Sequence, residues 1–391
     1  MDELIKNNMT RRNLGFFINS LSHGGAERVV SILANSLVND FDVTVILLSN
    51  KINFPIDSRI NIIVLFQSKN VWLNLFSVLI SPIKLFFTLK KNKIETLLVY
   101  LYRPSFLAII TKVLLRWKGK LIISERTYTL SHYDKTKLKG KIGIFLIKML
   151  YNRADLIIPN SKLTALSLKQ DIGIKTPITV IYNPITAPSK VIRKIVKDRI
   201  DIINVGNLYE YKNHEMLLRA LSSIEDVDWH LHLVGSGPSL VKLKKIAYNL
   251  RISEKISFLG KVDSYEYYSK ADIFISTSSI EGFPNALVEA MAHGLPVFST
   301  DCKSGPREIL SPTSDFSKLL DYNDESEFAE YGILVPQNNY VKLAKALNTF
   351  INNQKYSQKK YSEKALERSQ DFSISKITHQ YKILINDIIG F

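Results

Sequence analysis

The chain has one cysteine, Cys302, among 391 residues. That excludes an internal disulfide framework and any multi-cysteine metal site. It also lacks an apolar run of membrane-spanning length. Its most apolar stretch, residues 71–87, is interrupted by Asn74, Pro82 and Lys84. This falls short of the roughly 18 to 20 unbroken apolar residues that a span needs. The opening MDELIKNNMTRRN has no apolar core, so no secretory signal is read and a cytoplasmic location is expected. No low-complexity tract or repeat of about 20 to 50 residues is present, which excludes solenoids and propellers. Acidic charge is scarce in the first half. Residues 1–190 carry 27 Lys and Arg against 11 Asp and Glu, a net +16, while the other 25 basic residues are matched by 25 acidic ones. Nucleic acid and anionic membrane are the usual partners of such a surface; a solvated lysine-rich face is the alternative. The basic half has no recognition helix or aromatic stacking motif, so nucleic acid is not an expected partner.

What is present suits a globular chain of two domains. Hydrophobic residues make up 46% and aromatic residues 10%, and the length matches two cores of about 150 to 200 residues. A strand at 14–18 runs into Asn19–Gly25 and a helix at 26–38. Gly24 and Gly25 at that junction suit either a phosphate cradle or a tight turn with unusual backbone angles. Strands follow at 41–48 and 60–65. The apolar stretch then meets Lys90, Lys91 and Lys93, which suits a buried helix or one lying at a membrane surface. A strand at 96–101, a helix at 104–117 and a strand at 120–124 lead to Glu125-Arg126-Thr127, at a carboxyl end and so crevice candidates. Lys135, Lys137, Lys139 and Lys141 precede an apolar helix at 142–151, a second basic–apolar junction. The first domain is read as 1–184, a linker as about 183–198, the second domain as 199–373, and 374–391 as a helix packing back on the first domain.

The second domain alternates strand and helix, so the expected fold is α/β with two doubly wound sheets facing a crevice. Residues 272–310 are its centre: a buried strand, a polar loop with Glu281, a helix from Pro284 carrying Glu289, a stop at Gly294 and another strand. The Asn285 and Ala286 amides fall in the first helical turn, where donors lack internal partners. Counted round a helix at about 100° per residue, Glu289 projects about 80° from Glu281. Two carboxylates on one wall can grip vicinal hydroxyls. Lys212 precedes another helix start, where it can reach an anion. Gly235-Ser236-Gly237 leaves a strand with little bulk, so a ring or phosphate can approach the backbone.

The segment Glu281-Gly282-Phe283-Pro284-Asn285-Ala286-Leu287-Val288-Glu289 resembles the E-x7-E segment of retaining glycosyltransferases of family 4, the glycogen-synthase-like group with the GT-B fold. Gly24-Gly25-Ala26-Glu27, Val205 to His214, Val234 to Pro238, and Gly305 to Ile309 resemble further family segments, the last in bacterial members that build lipid-linked polysaccharides. The resemblance implies that Glu289 holds ribose hydroxyls, Glu281 contacts the donor sugar and Lys212 neutralises the leaving diphosphate. Phe283, Pro284, Gly235 and Gly237 then line the donor site. No metal or other cofactor is implied, and no Asp-x-Asp metal site is assigned. The family often has arginine where Asn207 stands, so Arg307 or Arg126 is a candidate to replace that charge. Arg126 also stands where many members carry a histidine. His23 is a candidate acceptor contact.

The expected activity is transfer of a hexose or N-acetylhexosamine from a nucleoside diphosphate sugar, uridine first and guanosine second. The expected acceptor is a saccharide on polyprenyl diphosphate, as in O-antigen or capsule synthesis. The expected location is peripheral, on the inner face of the cell membrane. A sugar-nucleotide epimerase and a non-catalytic assembly partner are the alternatives.

Overall fold

The computed structural model describes residues 11–22, 24–66, 71–131, 137–191, 199–224 and 227–390. His23, Lys135 and residues 192–198 of the expected linker lie outside the described residues, as do the side chains of 71–79. The chain divides into two compact units. The first comprises residues 1–160, 164–184 and 374–391; the second comprises 161–163 and 185–373.

The first unit is a six-stranded parallel sheet. Its strands are β1 (Asn13–Ile18), β2 (Asp42–Ser49), β3 (Asn61–Phe66), β4 (Thr96–Tyr100), β5 (Lys120–Glu125) and β6 (Leu156–Pro159), in the order β3-β2-β1-β4-β5-β6. Both faces are covered, which is why the strands read as nearly unbroken apolar runs. Alternation sorts β1. Leu14, Phe16 and Ile18 join one core with Val30 and Leu33 of α1 (Gly25–Leu37). Phe17 joins the other core, built with α2 (Val71–Lys91), α3 (Tyr102–Leu114) and α4 (Leu138–Tyr151). A short α5 (Lys162–Ser167) follows β6. The helix expected at 104–117 begins two residues earlier, so that Pro104 sits in its first turn, where its missing N–H costs little. The segment 374–389 forms a helix whose Ile377, Tyr381 and Ile385 are buried in the α1-side core.

The second unit has seven strands: β7 (Arg199–Val205), β8 (Asp228–Val234), β9 (Ile256–Gly260), β10 (Ile273–Ser276), β11 (Val297–Thr300), β12 (Glu327–Phe328) and β13 (Ile333–Val335). Helices α6 (His214–Ser222), α7 (Leu240–Asn249), α8 (Ser264–Lys270), α9 (Asn285–Ala292), α10 (Pro306–Leu310), α11 (Tyr340–Asn352) and α12 (Gln354–Ser369) complete it. The order is β12-β13-β11-β10-β7-β8-β9. All pairs are parallel except β12 with β13. The two-residue β12 lies within the polar segment 311–330; two residues are too few to carry a period. From β7 the sheet grows through β8 and β9 on one side and through β10, β11 and β13 on the other. The β7/β10 border is therefore a topological switch point, where loops at the carboxyl ends diverge and open a crevice.

Candidate functional site

Two loops flank that switch point. Residues 206–213 leave β7 and reach α6 through a 3-10 turn, Glu210–Lys212. Residues 277–284 leave β10 and reach α9. They are stitched together by the Ser279 N–H donating to the Tyr211 carbonyl (2.7 Å) and the Thr277 hydroxyl donating to the Lys212 carbonyl (3.1 Å). These bonds hold Lys212 against Glu281, Nζ to Oε1 2.5 Å. Their side chains are only 20% and 11% exposed, so salt screens the pair less than a surface pair. Burial works against the Lys212 charge, but Glu281, with smaller help from Tyr211 and Cys302, outweighs it, and the ammonium pKa is raised. An ammonium has three donors. Glu281 takes one, and Nζ also stands 5.6 Å from the Tyr211 ring centroid.

A buried polar ladder lies beneath. The Asn204 amide donates to the Ile275 carbonyl (2.7 Å), tying β7 to β10. Its oxygen is 3.1 Å from His214 Nε2, so that nitrogen carries the imidazole proton. Burial, and then the charge of Lys212, depress the His214 pKa to about 4. Its Nδ1 is buried with no hydrogen-bond partner among the described residues.

Glu281 does not share a helical wall with Glu289. The helix starts only at Asn285, and the Glu281 N–H is pinned instead to the Lys303 carbonyl (3.3 Å) of the loop after β11. The helical count of 80° therefore does not apply. Glu289 is in α9, 4% exposed, and accepts a bond from the Tyr268 hydroxyl of α8 (3.1 Å). Tyr268 was not found from sequence, because SYEYYSK offers three tyrosines and no pattern to choose among them. Pro284 caps α9 from outside (φ −79°, ψ 81°) instead of opening it. The Asn285 N–H is also not free: it donates to the Phe283 carbonyl (3.0 Å), leaving Ala286 as the first amide without a backbone acceptor among the described residues. Phe283 is buried, its ring 5.4 Å from that of Phe372. Behind Pro284 the chain is tight: Gly305 has φ 101°, and a Cβ there would come 2.5 Å from the proline Cδ.

Gly235 and Gly237 also sit at this end of the sheet, but the space their missing side chains leave is filled by the chain itself. A Cβ on Gly237 would lie 2.5 Å from the Leu208 carbonyl oxygen. Asn207 is exposed beside them. Arg307 is buried and committed: Nη2 lies 2.5 Å from Asp301 and 2.9 Å from Glu327, drawing the 311–330 excursion onto the sheet. Arg126, in the first unit, is buried between Asn183 and Tyr381. Gly24 is extended (φ −157°) and Gly25 begins α1, so their turn needs no left-handed backbone. Asp-x-Asp spacings do occur, at 40–42 and 226–228. Asp40 pairs with Lys382, Asp42 lies at the amino end of β2, and position 226 is outside the described residues. Among the described residues no three His, Cys, Asp or Glu side chains gather as a metal-holding group.

Residues 23–187 match the family described as "Glycosyltransferase Family 4", and residues 188–368 match "Glycosyl transferases group 1". A relative from Campylobacter jejuni is 32% identical over 374 residues, covering 94% of this chain and 97% of its own. It is described as N-acetylgalactosamine-N,N'-diacetylbacillosaminyl-diphospho-undecaprenol 4-alpha-N-acetylgalactosaminyltransferase. Among solved structures, sucrose-phosphate synthase from Thermosynechococcus elongatus superposes with a TM-score of 0.79 at 17% identity, over 97% of this chain and 100% of that one. The Anabaena protein HepE in complex with UDP-glucose superposes with a TM-score of 0.74 at 20% identity, over 95% of this chain and 99% of that one. These likenesses give the GT-B fold.

Proposed function

Since the chain belongs to glycosyltransferase family 4, we propose that it transfers a hexose or N-acetylhexosamine, with retention, from a nucleoside diphosphate sugar to a polyprenyl-diphosphate-linked saccharide. Uridine is the base proposed first, guanosine second. The acceptor class draws support from the Campylobacter relative, whose description names a diphospho-undecaprenol saccharide. With such an acceptor the enzyme works in surface polysaccharide synthesis, at the cytoplasmic face of a membrane and against its anionic surface. Among the described residues no helix is long and apolar enough to cross a membrane.

One observation carries the reading: the Lys212–Glu281 pair spans the switch point, beside the start of the helix that bears Glu289. In this proposal Glu289 grips the ribose hydroxyls, Glu281 holds the donor sugar, and Lys212 and the Ala286 amide face the diphosphate. The bond from the anomeric carbon to the diphosphate oxygen breaks, and the acceptor hydroxyl oxygen forms the new bond on the same face. Its proton passes to the departing phosphate oxygen. The enzyme's contribution is positioning and stabilisation of leaving-group charge. Since Lys212 and a helix amide can carry that charge, no metal is required in this scheme.

A thermal-shift screen of UDP- and GDP-sugars, followed by transfer to a lipid-linked acceptor in the presence of EDTA, tests the proposal. An α-linked product from an α-donor is expected. A β-linked product overturns retention, and activity lost in EDTA and restored by a divalent cation overturns the metal-free scheme. Free nucleotide released with no glycoside formed favours the epimerase.

A further inference from the structure

A carboxylate grips two neighbouring hydroxyls only when its plane faces them, so that both oxygens accept at once. A glutamate reaches that pose through several rotatable bonds, and freedom in them must be given up on binding unless the pose is already fixed. Glu289 sits in α9 and is only 4% exposed. What surrounds it therefore sets its orientation. The hydroxyl of Tyr268 donates to its Oε2 at 3.1 Å.

Helical spacing on α8 delivers that hydroxyl. Tyr265 and Tyr268 share a face, with ring centroids 6.2 Å apart, while Tyr267 turns towards His232. Tyr268 is fully buried. Tyr265, Phe274 of β10 (6.3 Å) and His293 (5.0 Å) enclose its ring. His293 follows α9 and is tied back to it, Nδ1–H donating to the Glu289 carbonyl (2.7 Å). The imidazole thus packs on the tyrosine while anchored to the glutamate that the tyrosine touches. A ring enclosed in this way holds its hydroxyl in one place. The same hydroxyl lies 3.2 Å from the Ala286 carbonyl. A phenol has one proton to donate, so it is shared between the carboxylate and the first turn of α9. It takes one of a carboxylate's roughly four acceptor sites and, being neutral, does not cancel the charge as a lysine would.

We propose that Tyr268 is a positioning residue for nucleotide recognition: its hydroxyl fixes the plane of the Glu289 carboxylate for the vicinal hydroxyls of a ribose, and His293 holds the tyrosine ring in place. The proposal rests on the assignment of the ribose to Glu289, and the experiment separates the two.

The test measures binding of UDP and GDP, each against its 2'-deoxy counterpart, to the full chain and to Glu289→Ala, Tyr268→Phe and Tyr268→Phe/Glu289→Ala. The wild type is expected to prefer a ribonucleotide, and Glu289→Ala to lose that preference. Tyr268→Phe keeps the ring in the core. It is expected to bind the ribonucleotide about tenfold more weakly, the size of a lost bond to a charged group, and the deoxynucleotide nearly as before. The donor KM should rise by the same factor with kcat little changed. The double variant removes donor and acceptor together, which guards its folding. It should bind as Glu289→Ala does and no more weakly, because the tyrosine acts through the glutamate. Melting temperatures are followed in parallel. If Tyr268→Phe weakens both nucleotides alike, or the double variant binds more weakly than Glu289→Ala, the tyrosine serves only the core and the proposal is overturned. It is also overturned if Tyr268→Phe keeps the wild-type preference while Glu289→Ala loses it; the ribose assignment then stands. If Glu289→Ala keeps the preference, or the wild type shows none, the ribose assignment fails and the proposal falls with it.

Discussion

The Cα of Gly235 faces the carbonyl of Gly206 so closely that a Cβ at 235 would lie 1.8 Å from that oxygen. Gly235 also has φ 140°, a region that L side chains rarely adopt. The turn after β8 is thus stacked, backbone on backbone, upon the turn after β7 that leads to Lys212. Gly235→Ala is expected to cost about 3 kcal/mol or more, since strain and overpacking add. Gly260 is the control: φ is 69° there, but no atom of the described residues lies within 4 Å of where a Cβ would stand. Gly260→Ala should therefore cost only the left-handed penalty, about 1–2 kcal/mol. Urea unfolding of both variants checks the difference; equal losses would mean that the Gly206 contact does not matter.

The Lys212–Glu281 pair predicts a kinetic result. If Lys212 faces the leaving diphosphate, Lys212→Ala should lower kcat by about 10²- to 10³-fold, the usual size of a lost charge-stabilising donor. Glu281→Ala should also lower kcat. The double variant should lose much less than the product of the two, because the side chains act as a unit. Glu289→Ala should cut transfer by orders of magnitude if it anchors the nucleotide. Steady-state kinetics with melting temperatures in parallel decide this. Near-normal turnover in Lys212→Ala and Glu289→Ala sinks the site assignment.

The two sheets were legible because parallel strands covered on both faces read as short apolar runs between turns, as at 97–99 and 121–123. Lys212 was legible as a cation ahead of a helix start, and Glu281 as a carboxylate in the polar loop between a strand and a helix. Their meeting was not derivable from any local pattern. It depends on β7 lying beside β10, a strand order set by packing between distant segments. Buried partners were invisible for a related reason. Nothing in one dimension separates an arginine that awaits an anion from one already held, as Arg307 is, by Asp301 and Glu327. Gly235 shows the same limit: a bare backbone reads alike whether its neighbour is a ligand or another strand's carbonyl.

His214 predicts a pH dependence of stability. Its pKa falls from an ordinary 6.5 to about 4 on folding, so the unfolded chain binds the proton more readily. The contribution is fully present above about pH 6.5, is lost progressively as pH falls towards 4, and changes no further below that. A shift of this size corresponds to about 3 kcal/mol. His214→Gln keeps an amide donor for Asn204 but cannot titrate. The difference in unfolding free energy between wild type and variant, measured from pH 7.5 to 4, should shift in favour of the variant as pH falls. A constant difference would show that His214 titrates alike in both states.

Arg126 and Tyr381 predict how the C-terminal helix is held to the first unit. The guanidinium donates to Asn183 Oδ1 (2.6 Å) and to the Tyr381 hydroxyl (2.5 Å), and stands 5.0 Å from the Tyr100 ring centroid. Its Nε is already buried without a partner among the described residues, so a second unmet donor is costly. Tyr381→Phe keeps the ring in the core beside Ile377 and Ile385 and removes only the acceptor. The expected loss is about 1–3 kcal/mol, the desolvation cost of leaving a buried donor unmet. Arg126→Met removes the charge that needs the acceptor, and filling the site with an apolar chain of similar volume can be neutral. Arg126→Met/Tyr381→Phe should therefore be more stable than Tyr381→Phe alone. Chemical denaturation of the three variants measures this. If the double variant is no better than Tyr381→Phe, the hydroxyl is not answering the guanidinium, and the apolar stripe alone secures the helix.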